Sequence, residues 1–247
     1  MIYKRYTDLC LQALKDPEVF KTFKSNTAFT YMLEHVTYDQ GLGYLSEIKR
    51  TQPKLINHMD CFATNDSLGT PKMFWYEELN MDISPTTLRY VKVLADLISH
   101  FGNLDGLDIV EIGIGYGGQC KIINDYFVPK SYTLIDLPEV ILLADKYLEC
   151  HGITNAVFQT PNWTSEALYD LCISNYAFTE IGRPAQDFYV KNIIKRSAKG
   201  YITCNFLNQR MKEGVMTDEE IYRMTQHGEF HKEIPLTAPH NAIYIWK

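Results

Sequence analysis

One nine-residue string, VEIGIGYGG at positions 110–118, limits this chain more than any other part of it. An apolar run ends in Glu111, glycines follow at 113, 115, 117 and 118, and a helical pattern begins at Gln119. Glycines at such a place permit positive φ and let a ligand come close to the backbone. A strand that stops in a glycine turn and becomes a helix opens a βαβ unit, so the string predicts an α/β fold around a parallel sheet.

The rest of the chain divides around that string. From Leu107 onward, short apolar strands alternate with helices: strands are predicted at 108–112, 131–135, 156–159, 171–174 and 200–205. Two further segments, 231–234 and 241–246, have no helix between them and suit an antiparallel hairpin closing the sheet edge. Before Leu107 the pattern is helical. Leu9, Leu11, Leu14, Val19, Phe20 and Phe23, then Phe29, Met32, Leu33 and Val36, recur at helical spacing, and Asn65 to Gly69 with Pro71 interrupt them. Ser84 and Pro85 form a helix start, and the apolar stripe Leu88, Val91, Leu94, Ala95, Ile98 predicts a helix over 85–100. The expected organisation is a helical N-terminal cap and substrate lid over 1–100 and a Rossmann-like core over 101–247.

Composition narrows the partners. With 24 Lys+Arg against 30 Asp+Glu the chain is formally at -6, and no basic run stands out, which argues against a nucleic-acid backbone as partner. No stretch approaches a membrane span, the first residues lack an apolar signal region, and the six cysteines have neither C-x-x-C pairing nor metal-ligand spacing to histidine. The reading is a cytoplasmic protein with no structural metal, in which all six thiols are reduced and act as small buried hydrophobes.

The glycine string satisfies two templates, E-x-G-x-G-x-G and G-x-G-x-x-G. A dinucleotide would set its pyrophosphate over the glycines at the helix N-terminus, where a carboxylate at 111 is poorly placed. S-adenosylmethionine has no phosphate and carries a cationic sulfonium and ammonium, so Glu111 favours it. Asp136, ending the strand SYTLID, is placed to accept both hydroxyls of an adenosine ribose. The expected cofactor contacts are therefore Glu111, Gly113, Gly115, Tyr116, Gly117, Asp136 and Leu137, with Asn162 and Asn175 at the ends of later strands. Asn162 suits an adenine edge, or equally a P-N-W-T turn.

VEIGIGYGG, LIDLPEV, ISNYAFTEI and GYITCN together resemble bacterial sugar O-methyltransferases, a branch of the class I methyltransferases, over roughly residues 65–246. SPTTLRYVKVLADL before the core and EIPLTAPHNAIYIW at the end fit the same resemblance. It implies a seven-stranded, mostly parallel sheet whose last strand is antiparallel, Glu111 and the glycines around methionine and ribose, and Asp136 on the ribose.

A sugar hydroxyl needs a base to become a nucleophile at neutral pH. Glu180 in SNYAFTEI is a candidate base, or else an ion-pair partner of Arg183; His240 is a candidate, or a surface-turn histidine; Tyr176 orients the acceptor or packs in the core. Arg89 and Tyr90 on the 85–100 helix, with Asp66 and Trp75 in the loop before it, are candidate acceptor contacts, Arg89 for an acidic group such as a nucleotide-sugar diphosphate. The expected partner is a small-molecule or glycan acceptor, and a homo-oligomer is allowed. Alternatives are a nitrogen or other non-sugar acceptor, an NAD-dependent oxidoreductase, and a catalytically silent cofactor-binding protein.

Overall fold

The structure is a computed structural model and describes residues 2–164, 166–206 and 214–247. Its contacts separate into two compact units, one formed by Met1–Leu104, Gly115–Val128 and Pro138–Thr154, the other by Asp105–Ile114, Pro129–Leu137 and Asn155–Lys247.

The second unit holds the sheet. Its strands are β3 (Asp108–Ile112), β4 (Ser131–Ile135), β5 (Ala156–Gln159), β6 (Tyr169–Asn175), β7 (Ser197–Cys204), β8 (Glu229–Lys232) and β9 (Ala242–Trp246), in the order β5-β4-β3-β6-β7-β9-β8. All neighbours from β5 to β7 run parallel, and β9 is antiparallel to both β7 and β8. This is the seven-stranded, mostly parallel sheet expected from the glycine string and the resemblance. A strand such as DIVEI, buried at four of five residues with Ile109, Val110 and Ile112 apolar, suits the interior of a parallel sheet. The late hairpin forms, but β9 lies inside the sheet and only β8 is at the edge. Composition explains the order: AIYIW is buried at four of five positions, whereas EFHK has no buried residue. One sheet face is covered by Phe178, Tyr189, Ile193, Met216 and Ile221, which pack with Val110, Ile112, Cys172, Ile202 and Trp246.

Chain order reverses between β3 and β6: β4 and β5 lie to one side of β3, and β6 and β7 to the other. In an open α/β sheet the crevice for a ligand forms at the carboxyl ends of the two strands flanking such a reversal.

The first unit is helical apart from a short ribbon of β1 (Phe74–Tyr76) and β2 (Met81–Ile83). Helix α6 (Pro85–Phe101) realises the predicted 85–100 helix almost residue for residue, with the Ser84 hydroxyl accepting from the Thr87 N–H as N-cap. It packs on α4 (Tyr38–Thr51) and on α7 (Gly118–Asn124), and α1 (Ile2–Lys15) packs on α8 (Pro138–Cys150). Between these helices Phe23 and Phe29 meet edge to face, and Tyr116 and Tyr147 join the same aromatic cluster. Lys24 is fully buried among them, its Nζ donating to the Asn65 carbonyl at 2.5 Å and standing 4.2 Å from the Tyr116 ring centre. Burial lowers its pKa to about 8.

All six cysteines are free, as expected, but Cys61 and Cys150 are exposed and correct the reading of every thiol as a buried hydrophobe. Cys61 lies in the five-residue helix Met59–Ala63 and Cys150 is the last residue of α8, so neither thiol is carried into the core, which cysteine content alone does not reveal. Among the described residues no helix is long and apolar enough to cross a membrane, and no group of three potential ligands stands ready for a metal ion.

Candidate cofactor and acceptor site

In the second unit the carboxyl ends of β3 and β4 are tied together by the glycine turn. Gly113 has φ +77, Gly115 +55 and Gly117 +88, so the turn runs through the left-handed region that glycine occupies without penalty. Gly113 N–H donates to the Ile135 carbonyl at 2.9 Å, and Ile114 N–H donates to Oδ2 of Asp136, also at 2.9 Å. Oδ1 of Asp136 accepts from the Leu137 N–H at 2.7 Å. Each carboxylate oxygen thus accepts from a backbone N–H, which fixes the carboxylate at the strand end. Leu137 is exposed beside it.

Gly113 is required for a second reason. A Cβ there would stand 2.0 Å from the Cβ of Ala177, the residue after Tyr176 at the end of β6. The closeness that a glycine turn offers is therefore used in part by the protein itself. The same holds at Gly115 within the first unit, where a Cβ would meet Leu33 Cδ1 at 2.8 Å.

Glu111 is buried, and its carboxyl accepts from the Tyr132 hydroxyl at 2.8 Å. Burial raises its pKa to about 8; the Tyr132 hydrogen bond opposes this, and the nearby Asp136 charge adds to it. At neutral pH it is mostly protonated, and a cation brought beside it would favour the charged form. This fits a cationic cofactor, because no described ion pair satisfies the group within the protein.

On the other side of the reversal, Tyr176 adopts φ +67 right after β6, a conformation unusual for a residue with a side chain. It is anchored by its N–H to the Thr203 carbonyl at 2.9 Å. Its hydroxyl donates to Oε1 of Glu233, a buried carboxylate that also accepts from the Thr237 N–H and hydroxyl. Asn241 donates to the Thr237 hydroxyl at 3.0 Å and leaves its own Oδ1 buried without a partner. Glu180 accepts from Asn205 Nδ2 at 2.8 Å, while Arg183 pairs with Asp187 and Glu220 and not with Glu180. Asn175 ends β6 and is half-buried there, Tyr176, Asn205 and Glu233 follow strands, and Asn241 precedes one, all at the same sheet edge. Glu233, Thr237 and Asn241 escaped the sequence reading. Their only signal was position: they flank the last two strands, where EIPLTAPHN looks like an ordinary loop.

The other expected site residues fall differently. Asn162 is exposed in a turn after β5, and His240 is exposed with φ +69 ahead of β9. Trp75 is 52% exposed on β1. Tyr116 is turned inward, its ring in the aromatic cluster and its hydroxyl accepting from Asn65 Nδ2 at 3.2 Å, so it offers a ligand only its backbone. Tyr90 is buried edge-on to Tyr116. Arg89 donates to the Leu33 carbonyl at 3.2 Å. Asp66 is buried at the start of α6, with both oxygens taken by the Ser84 N–H, the Ser84 hydroxyl and the Thr87 hydroxyl at 2.7 to 2.9 Å.

No protein-family model matches the chain, and no curated protein matches it. Solved structures similar to it include the N-methyltransferase NodS from Bradyrhizobium japonicum WM9 in complex with S-adenosyl-l-homocysteine, 15% identical over 64% of this chain and 83% of that one, at a TM-score of 0.49. A second is an S-adenosylmethionine-dependent methyltransferase from Clostridium acetobutylicum ATCC 824, 11% identical over 62% of this chain and 87% of that one, at 0.48. A third is a ribosomal protein L11 methylase from Lactobacillus delbrueckii subsp. bulgaricus, 12% identical over 64% and 78%, at 0.43. The fold assignment rests on the strand order itself and not on these likenesses.

Proposed function

We propose that this chain is an S-adenosylmethionine-dependent methyltransferase acting on a hydroxyl of a sugar or glycoconjugate precursor. The observation that carries the reading is the Asp136 carboxylate, hydrogen-bonded by the backbone of the glycine turn and standing at the strand end beside the reversal of chain order. A ribose diol needs two acceptors so held, and a buried acid such as Glu111 suits a cation in the same neighbourhood. When bound, the cofactor supplies an electrophilic methyl group. The chain's own part is to hold it by the turn, Asp136 and Leu137, with Asn162 and Asn175 near the adenosine, and to take a proton from the acceptor.

Tyr176 and Glu233 suit the proton step. A hydroxyl that donates to the Tyr176 oxygen can pass its proton there as the phenol proton moves to Glu233, along a hydrogen bond already formed. Glu180, oriented by Asn205, and His240 in its exposed loop are further groups for orienting the acceptor.

Proton linkage separates this reading from a dinucleotide enzyme. A cation ionises Glu111 and releases its proton, whereas a pyrophosphate keeps it protonated. Calorimetric titration in two buffers of different ionisation enthalpy should show S-adenosylhomocysteine binding and no NADH binding, and S-adenosylmethionine, which alone of the three carries the sulfonium, binding with proton release at pH 7. Asp136→Ala should weaken S-adenosylhomocysteine binding by about 1 to 3 kcal/mol, the scale of a lost hydrogen bond to a charged group. NADH binding without a response to S-adenosylhomocysteine would sink the cofactor assignment. A screen of nucleotide sugars for methyl transfer then tests the acceptor, and Tyr176→Phe should lower turnover by about a hundredfold or more while sparing cofactor affinity.

A further inference from the structure

Within the second unit, β7 and β9 stay paired to Cys204 and Ala242, so the next residues, Asn205 and Asn241, stand opposite one another one step beyond the ladder. The side-chain Oδ1 of each is buried without a hydrogen-bond partner, and Asn241 as a whole is only 6% exposed. Their neighbours decide which end of each amide is the oxygen. Asn205 Nδ2 donates to Oε1 of Glu180 at 2.8 Å, and a carboxylate only accepts. Asn241 Nδ2 donates at 3.0 Å to the Thr237 hydroxyl, whose single proton already goes to Glu233. Each amide is thus fixed with its nitrogen toward a carboxylate, directly or through Thr237, and its oxygen turned the other way.

A buried carbonyl oxygen lacking a donor is costly and needs an account. Two of them on adjoining strand ends offer acceptors alone, and the carboxylates behind them polarise both amides and strengthen their oxygens as acceptors. A sugar hydroxyl brings one proton to such a place and two lone pairs that it leaves unserved. A primary ammonium brings three N–H donors and no lone pair, and its charge suits Glu180 and Glu233. Thr237 Oγ1, which serves Asn241, stands 3.3 Å from the Tyr176 hydroxyl, so the substituents of one sugar ring can reach both. We propose that Asn205 and Asn241 bind a primary ammonium on the acceptor, which makes the substrate an amino sugar methylated on a hydroxyl. The inference rests on the methyltransferase reading above and narrows its acceptor. A nitrogen held in this way keeps its proton and has no lone pair for the methyl group, so transfer goes to the hydroxyl at Tyr176.

The test uses the full chain, S-adenosylmethionine and nucleoside diphosphate hexoses in matched sets that carry a free amine, an acetamide or a hydroxyl at the second, third or fourth ring carbon. The amine of one set should be the best substrate, with kcat/KM about tenfold or more above its hydroxyl twin, and mass spectrometry should place the methyl on oxygen. Asn205→Ala and Asn241→Ala, each checked for S-adenosylhomocysteine binding, should lower kcat/KM for the amine by about tenfold to a hundredfold, mainly through KM, and for the hydroxyl twin much less. A merely structural role would lower both alike, and Asn205→Ala carries the same readout if Asn241→Ala does not fold. If a hydroxyl or acetamido sugar is favoured, if the methyl lies on nitrogen, or if the variants leave the preference unchanged, the ammonium site is overturned while the methyltransferase reading stands. If no sugar is methylated, the sugar-acceptor reading itself fails and the inference falls with it.

Discussion

Glu111 shows how a residue legible in the sequence acquires its chemistry only from its surroundings. Its carboxyl titrates near 8 in the folded chain against an ordinary value of 4.5. Between those values the native state keeps a proton that the unfolded chain has released, so stability is fullest below the lower value and is lost as pH rises through the upper one. Glu111→Gln removes this slope and can still accept from Tyr132. Melting curves should therefore show the variant gaining on the unaltered protein between about pH 5 and about pH 9, and parallel curves would show that Glu111 ionises freely. Gly113 gives a second residue-level expectation. Gly113→Ala forces a side chain into positive φ and onto Ala177, and should cost about 2 to 4 kcal/mol in urea unfolding. Adding Ala177→Gly should return the crowding part and not the φ part, leaving a loss of about 1 to 2 kcal/mol.

At the scale of elements, the start of α6 repays comparison with its sequence. Ser84 and Pro85 announced the helix correctly because capping is local: the hydroxyl, the N–H it accepts from and the fixed proline φ lie within four residues. Asp66 was placed with the acceptor because an acid in a turn-rich segment looks available. It stands 18 residues away in sequence and closes the same cap, accepting from Ser84 N–H at 2.7 Å. Asp66→Ala should lower stability by about 1 to 3 kcal/mol by leaving buried donors unpaired, with a smaller loss for Asp66→Asn. A loss of turnover with no loss of stability would restore Asp66 to the acceptor. The order of β8 and β9 follows the same division: alternation marks a strand, but only comparison of EFHK with AIYIW across the hairpin decides which one takes the interior.

For the whole molecule, the expected boundary at residue 100 meets a unit assembled from three stretches of chain. Phe23, Phe29 and Lys24 pack against Tyr116 and Tyr147, which a fragment ending at residue 100 lacks. Such a fragment should show no cooperative thermal transition by circular dichroism, its buried lysine and aromatic rings being left in water; a sharp transition would mean that residues 1–100 fold alone. The sequence by itself determined the strands, the glycine turn, the α6 helix and the two acids at adjoining strand ends, since these depend on periodicity and backbone sterics acting over a few residues. Only the tertiary structure decided that Glu111 is neutral, that Tyr116 and Asp66 turn inward, and that Glu233 stands behind Tyr176. Burial and pairing are set by residues tens of positions away, and solvation follows from them.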